Sequence, residues 1–402
     1  VDHSLPLLVN GYAWLPDQRR RTTDDVVETR LMGRRAFGLA GPDAVRFFYD
    51  EEHVQRGTAL PEPVVSTLFG HGAVHGLDGE HHRDRKSVFL SLMTPHDLAT
   101  LVKETTAAWD AAVSSWTPGR RIVLFEEAAR VLTTGVCRWA GVPVPDEEVP
   151  ALAADLTAMV DGFATAGPRH WRARRARGRR EAWLARLVED VRSGDAAVPT
   201  GSALDVVAHH REPDGRLLAP RVAAVEVLNV VRPSVAVSWF VAFTAHALHR
   251  WPEHRQPLSE GEGPFAEAFV HEVRRFYPFA PFVGGKAVRD LSWKGHEIPA
   301  GSLVLLDIYG QNHDPRLWDD PHAFRPQRFL GREIGAFDLI PQGGGDPRTN
   351  HRCPGEPSTI ALLEALAVRV ARLDLPMPEQ DLSISLRRIP ALPRSRVVLT
   401  AR

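Results

Sequence analysis

Residues Phe337–Leu373 read FDLIPQGGGDPRTNHRCPGEPSTIALLEALAVRVARL. Three successive glycines (Gly343 to Gly345), a polar loop, one cysteine, Pro354 and Gly355 lead into a long apolar helix. A thiolate at Cys353 would sit at the N-terminal end of that helix, where the dipole and the free backbone N–H groups favour negative charge. The glycines lack a Cβ, so their backbone is expected to approach a flat ligand closely. The alternative for Cys353 is a buried structural cysteine, which is the reading for Cys137 in its apolar GVCRWAGV setting.

The surrounding chain sets bounds on this stretch. Its 402 residues carry 49 Lys and Arg against 50 Asp and Glu, and 44% are hydrophobic. That balance excludes a disordered chain and excludes nucleic-acid binding driven by overall charge. The apolar run Pro233 to Leu248 stops short of the roughly 18 to 20 residues that span a bilayer, so no transmembrane segment is expected. The patch Leu5 to Val9 is too short for a secretory signal core. Two cysteines cannot build a disulfide scaffold, and a cytoplasmic location is expected.

No linker or break in composition divides the chain, which points to a single domain over 1–402. Helical periodicity is clear over Leu98 to Trp116, Leu152 to Phe163, Arg179 to Val191, Pro220 to Trp251 and Pro264 to Phe276. Strands are expected at Ser302 to Ile308 and in a hairpin from Val288 to Ile298 that turns at Lys294 and Gly295. The fold class is therefore mainly α with a small β region. The arginine-rich run RHWRARRARGRR (Arg169 to Arg180) could serve as a basic patch, but it leads into an amphipathic helix and reads as a solvated face.

Two further motifs join Cys353. Glu272 and Arg275 form an E-x-x-R pair on one helical face, and FRPQRF (Phe324 to Phe329) lies about one loop upstream of the cysteine. Together they resemble the cytochrome P450 haem-thiolate family. The resemblance runs from around Gly11 to Leu399 and is closest to the bacterial fatty-acid peroxygenases, including the terminal-olefin-forming decarboxylase. It is carried by TLFGHGAVHGLDG (Thr67 to Gly79), HRDRKSVFLSLM (His82 to Met93), NVVRP (Asn229 to Pro233), EVRRFYPFAPFVGGKA (Glu272 to Ala287) and the Cys353 loop. It implies a cytochrome P450 fold, haem b with Cys353 as the axial iron ligand, and structural roles for Glu272, Arg275 and Arg328. His82, Lys86 and His351 resemble the donors to the haem propionates, with Lys286 and Arg56 as further candidates.

Monooxygenases of this family resemble one another in an acid–alcohol pair at the middle of the central helix, where this chain reads Val230-Val231-Arg232-Pro233. Arg232 shares a helical face with Leu228, Val235, Ala236 and Trp239, which sets a permanent cation among apolar neighbours. A buried charge needs a partner. A substrate carboxylate is the natural one, and an acid from another helix is the alternative. Pro233 removes a donor to the Asn229 carbonyl and is expected to kink the helix. His75 stands where the decarboxylating relatives carry histidine and the hydroxylating ones glutamine, and Phe69 is expected to pack beside it.

The resemblance and Arg232 together imply oxidation of a fatty acid at Cα or Cβ by hydrogen peroxide, with no obligatory redox partner. The products would be hydroxy acids, terminal alkenes by decarboxylation, or both. Arg232, Pro233 and His75 are the catalytic candidates, and Arg232, Phe69 and His75 the substrate-binding ones. The alternatives are a dioxygen-dependent monooxygenase supplied by ferredoxin and reductase, and a haem–lipid or basic-patch binding protein without turnover. Pro347, Pro354 and Pro357 depart from the relatives in or beside the ligand loop.

Overall fold

A computed structural model describes residues 1–402. Its largest core, 68 buried residues, gathers around the run Pro220–Arg250. Pro220 opens this run where a missing N–H costs nothing. The helical geometry breaks at Ala236, three residues beyond the internal Pro233, leaving the segments Pro220–Val235 and Val237–Arg250. By composition the run is apolar enough to cross a membrane, but 94% of its most apolar window is buried by the rest of the chain, as in a core helix. Helices Leu124–Ala140 and Pro168–Ser193 flank the first segment. Helix Glu356–Arg372 lies against the second.

Helix Pro264–Phe276 has the bounds its periodicity predicts, with Pro264 in the first turn. Helix Pro95–Ser114 is stopped upstream by Thr94, whose hydroxyl accepts from the Asp97 N–H. Helix Pro168–Ser193 begins well before the expected Arg179, so the arginine run is helical throughout. Its reading as one solvated face holds for exposed Arg172, Arg174, Arg175 and Arg179 and fails for buried Arg177. Arg169 pairs with Asp161, Arg179 and Arg180 pair with Asp155, and Arg177 is buried against Glu181 at 2.6 Å.

The β structure is larger than expected. A five-stranded sheet runs in the order Val27–Leu31, Arg34–Leu39, Leu303–Asp307, Phe282–Ala287, Val54–Gln55. Arg34–Leu39 lies parallel to Leu303–Asp307, so the N-terminal strands close against a strand from the C-terminal third. This sheet and helix Pro42–Tyr49 enclose a second core of 16 residues. The expected hairpin forms from Leu291–Trp293 and His296–Ile298, with Lys294 and Gly295 both at positive φ. It stands apart as its own two-stranded sheet rather than extending the strand Leu303–Asp307.

Candidate active site

Cys353 lies three residues before helix Glu356–Arg372, and its N–H donates to the Gln342 carbonyl at 3.0 Å. The Gln342 amide nitrogen stands 3.7 Å from Sγ. That amide is held by Thr359 Oγ1 at 3.0 Å and, through its oxygen, by Arg274 at 3.0 Å. Arg274 and Arg352 both engage Glu356, and Arg352 also donates to the Gly345 carbonyl at 3.0 Å. Burial, then Glu356, pushes the thiol up, while the Gly355 N–H, Lys86 and Gln342 act in the opposite direction. A sulfur ringed by donors and desolvated in this way suits a thiolate bound to a metal cation, which supplies the charge that burial withholds. Cys137 is different: it is buried in the main core and its thiol is pushed up to about 12.

The three glycines are packed closely by protein. A Cβ on Gly343 would collide with the Tyr49 hydroxyl, one on Gly344 with Val45, and one on Gly345 with Asn350. The missing side chains admit helix Pro42–Tyr49 and the loop itself.

Beneath this loop lies a charge cluster. Glu272 and Arg275 have fully buried side chains and share two 2.8 Å bonds, and Arg328 reaches the same carboxylate at 3.2 Å. Arg275 also donates to the carbonyls of Asn312 and Pro321. Such full pairing is what makes buried charge tolerable in a scaffold.

On the other side of Cys353 several basic groups converge. His82 and His351 stack with centroids 3.8 Å apart, and His351 Nε2 faces Asp78 at 3.3 Å. Asp78 also accepts from the backbone N–H groups of Arg56 and Gly57, and the Arg56 guanidinium donates to the Gly284 carbonyl at 2.8 Å. Lys286 bonds Thr58 Oγ1 at 2.6 Å. Lys86 is committed to the carbonyls of Asn350 and Arg352, so it ties helix Gly79–Ser91 to the Cys353 loop. Burial, followed by neighbouring cations, lowers His82 to about 3. Burial likewise lowers His351 to about 4, against the pull of Asp78. His82 Nδ1 and Glu51 Oε1 are buried 3.8 Å apart, and neither has a hydrogen-bond partner. Neutral imidazoles, a desolvated Arg56 and an unpartnered ring nitrogen fit the carboxylate edge of a haem, whose negative charge would relieve these strains.

Above the cysteine stands the central helix. Arg232 is 5% exposed and forms no ion pair, which removes the alternative of an acidic partner from another helix. Glu226, one and a half turns earlier, is taken by Arg85 at 2.9 Å and the Val74 N–H at 2.8 Å. Burial and then Arg177 depress the Arg232 guanidinium, while Cys353 favours its charge. His75 stacks on Phe69, as expected, and its Nδ1 is buried without a partner. Burial and then Arg232, with His351, Arg56 and Arg177 following, hold its pKa well below the ordinary value. The charges of Arg232, His351 and Arg56 are thus felt at His75, and that of Cys353 at Arg232. Gln342, Arg274, Glu356, Asn229, Glu226, Arg85 and Arg177 support these groups, and sequence reasoning assigned none of these seven.

Residues 261–368 match the family model for cytochrome P450. Carnosic acid synthase of Rosmarinus officinalis is 34% identical over 108 residues, 26% of this chain and 20% of that protein, so the chain spans only a fifth of this curated relative. Two solved structures align over the whole chain. Cytochrome P450SP alpha in complex with (R)-ibuprofen is 42% identical, with TM-score 0.97 and 100% and 98% of the two chains covered. A variant of cytochrome P450 OleT in complex with arachidonic acid is 37% identical, with TM-score 0.95 and 100% and 96% covered.

Proposed function

The chain belongs to the cytochrome P450 family, and on that premise we propose that it oxidises fatty acids with hydrogen peroxide at Cα and Cβ, yielding hydroxy acids and, by decarboxylation, terminal alkenes. The observation that carries this reading is Arg232: a buried cation without an acidic partner, on the helix that overlooks Cys353. Solved relatives hold carboxylic acids, (R)-ibuprofen and arachidonic acid, which supports a carboxylate as the missing partner.

Cys353 would bind the iron of haem b, and His82, His351 and Arg56 would receive its propionates, with Lys86 and Lys286 bracing the loop and strand beside them. When bound, the haem activates the peroxide oxygen–oxygen bond, and a thiolate ligand donates electron density that favours its cleavage. Arg232 takes the fatty-acid carboxylate through its planar fork and fixes the chain with Cα and Cβ nearest the iron side of the pocket. Pro233 keeps the helix open beside this anchor. The anchored carboxylate is placed to take a proton from peroxide and return it to the departing oxygen, the role an acid–alcohol pair would otherwise fill. Phe69 holds the imidazole plane of His75, whose neutral ring can give or accept one proton on the substrate side.

Purified haem protein incubated with peroxide and a series of saturated acids tests this. Oxidation confined to Cα and Cβ, without a reductase, supports it. Turnover that requires NADPH and a reductase, with none from peroxide, overturns it.

A further inference from the structure

We infer that Asn229 is the positioning residue that sets the Arg232 guanidinium and thereby where oxidation falls on the acid; this rests on the anchoring role of Arg232 given above. Within the protein, Arg232 makes a single hydrogen bond, from Nη2 to Asn229 Oδ1 at 3.1 Å, while its Nε finds no partner. A side-chain amide can present either its oxygen or its nitrogen to a neighbour, and the groups on its other side decide which. Asn229 Nδ2 donates to the Phe69 carbonyl at 3.0 Å and to Glu226 Oε2 at 3.1 Å. Two acceptors on the nitrogen leave the oxygen for the cation.

Neither acceptor is free to move away. Glu226 is gripped through Oε1 by the Val74 N–H and by Arg85. The Phe69 carbonyl takes a second bond from Arg177 Nη2 at 2.8 Å. Gly70 follows at φ +89°, and a Cβ there would strike both Arg177 and Val225. The amide at 229 is therefore fixed on every side.

The neutrality of this group is the point. A carboxylate at 229 would discharge Arg232 and compete with an incoming acid. An apolar side chain would leave a buried cation without any bond to hold its rotamer. An amide orients the guanidinium and leaves its charge for the substrate. Because the same amide pins Phe69, whose ring stacks on His75, one side chain sets the spacing between the anchor and the opposite wall.

Titration with a saturated fatty acid, read by the spin-state change of the Soret band, tests the inference alongside the Cα/Cβ product ratio. Asn229→Leu is expected to weaken affinity about tenfold, the worth of a hydrogen bond to a charged group, and to blur the ratio. The thiolate-type spectrum of the reduced carbon monoxide complex should persist. Asn229→Asp should weaken binding further than Asn229→Leu. Parent-like affinity and ratio in Asn229→Leu, with binding lost in Arg232→Leu, overturn the positioning role and leave the anchor standing. Parent-like binding in Arg232→Leu overturns the anchor itself. Should Asn229→Leu fail to take up haem, Asn229→Ser carries the same test, since its hydroxyl cannot reach the three partners at once.

Discussion

The imidazole of His75 lies face to face on the ring of Phe69, with centroids 4.1 Å apart and planes 26° apart. The stack leaves the ring edge, with its unpartnered Nδ1, as the part of His75 able to act. Burial and Arg232 keep the ring neutral at pH 7. After hydrogen abstraction near Cβ, a substrate radical either gains hydroxyl or loses carbon dioxide, and a proton-capable group beside it bears on that choice. His75→Gln keeps the reach and loses the titration. It should lower the alkene fraction with total turnover largely kept, as measured by product chromatography; an unchanged fraction would reduce His75 to a wall.

The Arg232 guanidinium, which no acidic side chain pairs, offers a salt-bridge position and makes a second expectation. A short carboxylate such as acetate should fill it and permit peroxide-driven oxidation of molecules that lack an acid group. Arg232→Ala should abolish both this rescue and native fatty-acid oxidation. Rescue that survives in Arg232→Ala would place the carboxylate elsewhere.

The two cysteines should separate cleanly. Cys353→Ser removes the sulfur held by Gln342 and Gly355 and should abolish the thiolate-type Soret band of the reduced carbon monoxide complex. Cys137→Ser, in the apolar core, should leave that band in place at some cost in stability.

Glu272 accepts from Arg275, Arg328 and the Arg325 N–H. Glu272→Gln leaves two guanidinium groups without their counter-charge, and removing one partner of a buried pair costs about 3–5 kcal/mol. Urea unfolding should show a loss of that order, with haem released at lower denaturant. A change below about 1 kcal/mol would mean that the arginines had found other partners.

Acid should weaken the fold through buried imidazoles. His246, bonded to the Tyr277 hydroxyl at 2.7 Å, is lowered by burial to about 4, and burial likewise lowers His271 to about 4. The unfolded chain takes up these protons near pH 6.5. The contribution of these two groups is then full above that pH, falls between about 6.5 and about 4, and levels below. His246→Gln should flatten part of this slope in unfolding midpoints measured against pH.

Much of the site was legible because its motifs are local. Glu272 and Arg275 sit three residues apart on one helix, and Cys353 precedes its own helix. Arg232 declared itself by being a cation among apolar neighbours. The supporting residues carry no such mark. Gln342 reads as one more polar residue before the glycines, and only its tie to Arg274 and Thr359 aims it at the sulfur. Asn229 lies three residues before Arg232, a spacing that places them together, but one of its two acceptors, the Phe69 carbonyl, comes from distant chain. The glycines do not show in sequence that Tyr49, Val45 and Asn350 stand where their side chains would be. The N-terminal strands were hidden by exposed charges: Arg34 and Arg35 open a strand whose remaining residues are buried.

The wall that carries Phe69 and His75 is bound to remote partners as well as to its own turns. The Leu68 carbonyl is tied to Arg177, 109 positions on, the Val74 N–H to Glu226, 152 positions on, and the Phe69 carbonyl to Asn229, 160 positions on. Contacts of such long range form late, after the entropy of closing those loops has been met. The helices that supply Arg177, Glu226 and Asn229 must dock before residues 68–74 have anything to hold. The wall is then fixed only once those helices are in place, so a substitution at Arg177, Glu226 or Asn229 reaches the Phe69–His75 stack from a helix far away in sequence.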